Sequence, residues 1–279
     1  MMRTPSTCLW LGVVGLAVMM GVAAPAFAQY RPLPIYGGNQ AASNNTYHVE
    51  FGFNLWSPSP DFVIQSESLG IPGTAIDIQA DLGLLKKAMY DMRLVLSPTR
   101  KHKFRFQYLP MQYTGATRLR GDLIFNGIRF PVDINVTTDF TWSTLRLGYE
   151  YDLVSRDAGF VGFIIEAKYM DAQLQLASPT GIEFARARAP VPAVGGIARV
   201  NIGRFVTVTG EATYFKLPES IDPRYRAHFL DVDVYGTFNF TRNFGVQGGF
   251  RRLELGYQVE KDKGQGLLLG PYFGGVVRF

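Results

Sequence analysis

The 279-residue chain has one cysteine, Cys8, and three histidines, His48, His102 and His228. A single thiol excludes a disulfide framework within the chain. Cys8 also lies ahead of an apolar run, whereas a lipid-acceptor cysteine would sit at a cleavage site. Charge is scarce too. Asp, Glu, Lys and Arg make up 18% of the residues, with a formal net charge of +5. No block of five or six like charges exists to form a nucleic-acid arm, so no nucleic-acid partner is expected. Beyond residue 28 no apolar stretch approaches the ~20 residues of a membrane-spanning helix. The phosphate-cradling GxxxxGKS/T, the dinucleotide GxGxxG after a strand, the zinc-binding HExxH and the nucleophile elbow GxSxG are all missing. No cofactor and no metal are expected, and the chain does not read as an enzyme.

What is present begins with an export signal. Arg3 supplies a positive start, residues 9–24 are almost uninterruptedly apolar, and Ala26-Phe27-Ala28 is a small-x-small cleavage site. A membrane anchor is the alternative, but the run is short and Pro25 follows it at once. Residues 1–28 therefore read as a signal peptide cleaved after Ala28. Residues 29–45, polar and rich in Pro and Gly, read as a flexible leader, and 46–279 as one domain.

That domain is 14% aromatic by the whole-chain count, with 30 glycines, 21 phenylalanines and 14 tyrosines. Its dominant pattern has period two, the signature of strands with two different faces. Tyr47, Val49, Phe51, Phe53 and Leu55 alternate with His48, Glu50, Gly52 and Asn54. Tyr90, Met92 and Leu94 alternate with Asp91 and Arg93; Phe104, Phe106 and Tyr108 with Arg105 and Gln107; Leu145, Leu147, Tyr149 and Tyr151 with Arg146 and Glu150. The second half repeats this. Phe163, Ile165 and Tyr169 oppose Glu166 and Lys168; Val200 opposes Arg199; Val208 and Tyr214 oppose Glu211; Val232 and Val234 oppose Asp231 and Asp233; Phe250 opposes Arg251.

About ten strands result, each of the ~9–11 residues a tilted bilayer crossing needs. Residues 74–87 and 121–136 read equally as loop hairpins or further crossings, so eight and twelve strands are the alternatives. Short turns at 97–102, 152–159, 203–205 and 241–243 alternate with longer connections near 56–87, 114–139, 173–192, 217–227 and 258–265. That wiring predicts an all-β, closed, antiparallel, up-and-down transmembrane barrel with both ends of the domain on the short-turn side. A soluble barrel with its apolar face inward is the competing fold. It is disfavoured because the polar face carries isolated charges among Gly, Thr and Asn rather than a Lys/Glu-rich surface.

The last strand places Phe273, Val277 and Phe279 on one face, with Gly275 between them. This resembles the C-terminal assembly signal of bacterial outer-membrane proteins, which implies the barrel-assembly machinery as a partner during biogenesis. The segments FNGIRFPV, GYEYDLVSRDAGFVGF, EFARARAPVPAVGGIARV and DVDVYGTFNFTRNFGVQGGFR are similar to stretches of small, poorly characterised outer-membrane β-barrels of Gram-negative bacteria, related to the OmpA and OmpW types. The resemblance implies fold and location in the outer membrane, with lipid and lipopolysaccharide as surroundings, and no activity.

Parity assigns seven cations and seven carboxylates to the lumen: Arg93, Arg105, Arg146, Lys168, Arg199, Arg251 and Arg278 against Glu50, Asp91, Glu150, Glu166, Glu211, Asp231 and Asp233. A barrel near eight strands is just filled by its own side chains. Buried charges persist there when paired, so the balanced set predicts a sealing ion-pair network. Two sharper readings compete. His228 with Asp231 and Asp233 could resemble the aspartate–histidine site of omptin proteases and make the chain a lipid- or peptide-hydrolysing barrel, but His228 and Asp231 fall on opposite strand faces. The lumen could instead be a narrow channel for small or hydrophobic compounds. Asp77 and Asp81 lack the further ligands, Gly and closing Glu of a calcium loop. Arg186 and Arg188 suit lipopolysaccharide phosphates, or simply a solvated loop. The role expected is structural or at the cell surface.

Overall fold

A computed structural model describes residues 47–65, 74–84, 87–125, 127–179, 181–218, 224–259 and 262–279. The expected signal peptide (1–28), its cleavage site and the expected leader (29–45) lie outside the described residues. Fourteen strands are described: β1 (Val49–Trp56), β2 (Ser59–Gln65), β3 (Ile76–Asp77), β4 (Met89–Leu96), β5 (His102–Arg118), β6 (Leu123–Phe125), β7 (Ile128–Phe130), β8 (Asn135–Arg156), β9 (Gly159–Ser178), β10 (Gly181–Ile202), β11 (Val206–Lys216), β12 (Tyr225–Asn239), β13 (Phe244–Val259) and β14 (Asp262–Arg278). Ten of them run antiparallel in the order β1-β4-β5-β8-β9-β10-β11-β12-β13-β14, and β14 pairs back to β1 to close the barrel. The closing register runs from Glu50 opposite Arg278 to Trp56 opposite Tyr272. β2 continues β1 past a break at Ser57-Pro58 and pairs with β14 higher up, with β3 on its other edge.

The expected ten-stranded barrel is therefore present, and 121–136 contributes no crossing: β6 and β7 form a separate two-stranded hairpin around Gly127, whose φ of 82° suits the tight turn. Residues 74–84 hold β3 and a turn. Two of the five long connections expected from sequence, 173–192 and 258–265, shrink to two residues each, and two more, 114–139 and 217–227, are shortened. Residues 114–118, 135–139, 173–178, 181–192, 258–259 and 262–265 continue the strands instead, so that β8 and β10 each reach 22 residues. Such a strand is about 70 Å long at ~3.3 Å per residue, well beyond the ~30 Å hydrocarbon core of a bilayer.

The reason these segments escape notice is that their alternation inverts. In the lower half of β9, Ile165 and Tyr169 point outward and Glu166 and Lys168 inward. Above Tyr169 the outward positions become Asp171, Gln173 and Gln175, and the inward ones Leu174 and Leu176, both buried. β5 changes in the same way. Phe104, Phe106 and Tyr108 face out below, whereas Leu109, Met111 and Tyr113 face in above. Phe229, Leu253 and Leu268 face in at the matching height of β12, β13 and β14. Period two is preserved but its sense reverses, because the outer surroundings change from apolar to aqueous while the strand continues.

Of the four short connections, 203–205 is as expected, those at 97–102 and 241–243 differ by one residue, and that at 152–159 is much tighter. β8 runs to Arg156, leaving only Asp157-Ala158 before β9. β1 starts at Val49, not Tyr47. Tyr47 turns under the mouth of the barrel, where its hydroxyl accepts a bond from Arg199 Nη1 (2.9 Å). His48, expected in the lumen, is exposed and lies 3.1 Å from the Ser97 carbonyl. Both departures follow from the strand beginning two residues later than the alternation suggested.

The barrel interior as candidate functional site

All fourteen charged side chains assigned inward by parity point into the barrel, and they are joined by Lys103 and Asp152. Lys103 Nζ bonds Glu150 (2.7 Å) and Asp152 (2.8 Å). Arg105 bonds Glu150 (2.5 Å) and Glu211. Arg146 bonds Glu211 (2.9 Å) and Glu166. Lys168 stands between Glu166 (3.0 Å) and Asp231 (2.7 Å). Arg251 bonds Asp231 (2.8 Å) and approaches Asp91 (3.7 Å), and Arg93 connects Asp91 (2.6 Å) to Asp233 (2.8 Å). Signs alternate along the whole series. Several links span the lumen rather than neighbouring strands: Arg105 of β5 and Arg146 of β8 both reach Glu211 of β11, and Arg93 of β4 reaches Asp233 of β12. Nearer the short turns a second cluster holds Glu50 between Arg278 (2.5 Å) and Arg199 (3.5 Å).

Neutral groups complete the layer. Gln107 donates to Asp91 (2.5 Å), the Tyr272 hydroxyl to Asp233 (3.0 Å), and Lys168 to the Thr213 hydroxyl (3.2 Å). Arg93 lies 5.7 Å and 5.1 Å from the Tyr235 and Tyr272 ring centres. Gly249 makes room for that pair, since a Cβ there would fall 2.5 Å from Tyr235 Cβ. Among these side chains lies a cavity of about 30 Å³ lined by Tyr47, Glu50, Arg93, Arg105 and Arg199 among others. That is room for about two water molecules.

Above the charges the interior becomes apolar. Trp56 and Phe229 form the junction. Trp56 donates its ring N–H to the Gly270 carbonyl (3.0 Å) and carries Arg251 5.5 Å from its ring centre, while Lys168 sits 4.2 Å from that of Phe229. Leu109, Met111, Tyr113, Phe140, Trp142, Leu174, Leu253 and Leu268 fill the walls. Segment 74–84 and the β6–β7 hairpin pack into the same cluster through Ile76, Ile78, Leu82, Leu84, Leu123, Phe125 and Phe130. They are tied to each other by a two-way contact: Thr74 N–H donates to the Ile124 carbonyl (2.9 Å) and Ile124 N–H to the Thr74 hydroxyl (3.0 Å). Phe62 of β2 meets Phe140 and Trp142 of β8 at ring-centre distances of 5.3 and 5.4 Å, an aromatic bridge between strands well separated around the barrel.

Other residues singled out from sequence lie elsewhere. His228 points outward, packed over Gly256, with Glu254 4.0 Å away, so it does not meet the inward Asp231 and Asp233. His102 begins β5 and contacts the Tyr149 hydroxyl (2.6 Å). Asp77 caps its own turn, accepting from the backbone N–H groups of Gln79 and Ala80 (both 2.9 Å). No cluster of three metal-ligating side chains occurs among the described residues. Arg186 and Arg188 face outward just above Tyr169 and share Asp171. The Arg186 hydrogen bond holds the Asp171 carboxyl down to about 2. Any contribution of this pair is therefore present above the ordinary aspartate range and is lost only as pH falls through about 2. Phe273 and Phe279 are exposed on the outer face with Val277, and Phe279 completes the closing seam by bonding His48 and Val49.

Lys103 and Asp152 share the parity of Arg105 and Glu150, so alternation extended by one pair at each strand end would have found them. The neutral partners Tyr235 and Tyr272 carry no comparable signal, whereas Gln107 shares the face of Arg105 in the alternation.

No protein-family model matches the sequence, and no curated protein matches it. Solved structures do. The outer-membrane protease OmpT of Escherichia coli is similar over 83% of this chain and 96% of its own, with 11% identity and a TM-score of 0.57. The Ail protein of Yersinia pestis, solved with a heparin analogue, overlaps 81% of this chain and 99% of its own at 9% identity and a TM-score of 0.36. The AIDA-I transport unit of Escherichia coli overlaps 83% and 89% at 7% identity and 0.38. The likeness to OmpT carries the fold: this chain has the architecture of an outer-membrane β-barrel.

Proposed function

We propose that the protein is an integral outer-membrane barrel with a sealed lumen, serving as a structural or cell-surface element that holds a tall sheet extension above the bilayer. One observation carries this reading: the interior is closed twice, by ion pairs that span the lumen and by the apolar layer above them. A buried charge network of this kind is tolerated because each charge has a partner of opposite sign. Among the described residues no luminal carboxylate meets a histidine, since His228 points outward, so the protease activity of OmpT is not carried over to this chain. Lipid around the apolar belt, lipopolysaccharide near Arg186 and Arg188, and an assembly role for Phe273, Val277 and Phe279 belong to the same proposal.

Conductance in planar bilayers tests it. The purified protein is expected to stay near the background of protein-free membranes, since neither layer offers ions a path. Steady discrete openings, with ion selectivity that shifts when Glu211 or Arg105 is neutralised, would replace the sealed barrel with the narrow channel.

A further inference from the structure

The four short turns share a composition that the ion-paired lumen does not explain. Arg100 and Lys101 lie between β4 and β5, Arg156 at the β8–β9 turn, Arg204 between β10 and β11, and Arg242 between β12 and β13. All five are exposed, and Asp157 is the one acidic residue in these turns. Because the turns fall at every second strand around the barrel, the cations are spread around the rim. The opposite end differs. There, exposed charges are mixed, as in Arg118 with Asp133, Arg129 with Asp122, and Arg186 with Asp171.

The height of these cations identifies what they would meet. Lys101 Nζ lies 6.0 Å from the Tyr151 ring centre, and the Arg204 guanidinium 5.8 Å from that of Phe205. Phe205 stacks on Phe238 (6.1 Å), which packs edge-on to Phe240 (5.2 Å), all on the outer face. The cations thus border an outward aromatic belt, the level at which headgroups meet hydrocarbon. Two of the turns are also pre-shaped. The Thr99 hydroxyl accepts from His102 N–H (3.2 Å), and the Thr241 hydroxyl accepts from Phe244 N–H (3.0 Å).

We infer that this rim is a binding surface for anionic phospholipid headgroups of the inner, periplasm-facing leaflet. Guanidinium groups match phosphate by paired hydrogen bonds as well as by charge. The assignment rests on the outer-membrane reading above, with the short turns toward the periplasm. Polyanionic cell wall is the other acidic partner on that side, but cations lying against lipid-facing rings favour lipid.

The test uses the whole mature chain folded into phosphatidylcholine vesicles containing a trace of spin-labelled phosphatidylglycerol or phosphatidylcholine. The wild type is expected to associate with the anionic label about fivefold more strongly, the ratio matching one cation's attraction to an anionic surface. The preference should shrink as salt is raised. A variant with Arg100→Gln, Arg156→Gln, Arg204→Gln and Arg242→Gln should lose part of the preference and treat both labels alike once Lys101→Gln is added, whereas Arg129→Gln at the other end should behave as wild type. Gel mobility with and without boiling checks that each variant is folded, and the wild-type salt series decides the matter if the fourfold variant does not fold. Equal association in the folded wild type overturns the rim assignment. Equal association together with arginine-dependent binding to purified sacculi overturns it in favour of peptidoglycan. Failure of the wild type to enter phosphatidylcholine vesicles at all would instead overturn the barrel-in-membrane reading.

Discussion

Arg146 is bonded to two carboxylates from different walls of the barrel, Glu166 of β9 and Glu211 of β11. Its removal leaves each with one remaining cation, Lys168 for Glu166 and Arg105 for Glu211, in a space with almost no room for solvent. Arg146→Ala is expected to cost about 3–5 kcal/mol, the range for stripping one partner from a buried pair. Urea unfolding in detergent can follow this through the tryptophans Trp56 and Trp142, which both lie inside the barrel. Arg186→Ala, which breaks an exposed pair on the outer face, should leave the transition where it is. If Arg146→Ala proved as mild as Arg186→Ala, the lumen would have to be hydrated and the network only a lining. Gly249 offers a second check. A valine there would collide with Tyr235 and Tyr272 and displace them from Arg93, so destabilisation is expected although the residue bears no charge.

β9 carries two kinds of surroundings on one outer face. Ile165 lies in the middle of the apolar stretch between Val161 and Tyr169, whereas Gln175 lies three outward positions above Tyr169, between Asp139 of β8 and Phe184 of β10. An arginine placed at each position distinguishes a membrane belt from an ordinary surface. Ile165→Arg is expected to destabilise the barrel in lipid by about 2–4 kcal/mol, the cost of that charge near a bilayer midplane. Gln175→Arg should change stability by no more than about 0.5 kcal/mol, as surface substitutions do. Equal effects would mean that the inversion along β9 does not mark the edge of the membrane. The inversion also accounts for how much of these elements was legible in sequence. Alternation between Phe163 and Tyr169 reads plainly as a strand, because aromatic and aliphatic residues face one way and Glu166 and Lys168 the other. Between Asp171 and Ser178 the alternation persists with reversed sense, and a reading that holds one face apolar throughout sees a polar loop.

For the whole molecule, closure pairs the last strand of the barrel on both edges: β14 is bonded to β13 on one side and to β1 on the other. Detergent must then break many backbone bonds at once rather than fray an edge. The mature protein is expected to fractionate with outer membranes and to migrate differently on gels with and without boiling. Recovery as a soluble periplasmic protein of unchanged mobility would be incompatible with a membrane barrel. The two internal layers make the same molecule stiff across its lumen as well as around its wall. The lower layer joins opposite walls by charge, and the upper joins them by Phe62, Phe140 and Trp142.

By itself the sequence determined an all-β chain of about ten crossings, the facing of most of the lower strand residues and fourteen of the charged residues of the interior, because each is a local property of a period-two pattern. Glu50, Arg105, Arg146 and Asp231 need only their immediate neighbours to be assigned inward. Which charge meets which was decided by the tertiary structure alone. Arg105 and Glu211 are separated by five strands in chain order, and only the radius and stagger of the closed barrel bring them together. The apolar upper layer was equally out of reach. Ile78, Leu82 and Phe125 sit in short segments with no strand-length periodicity, and they become core residues only because the barrel wall around them turns its own apolar side chains inward.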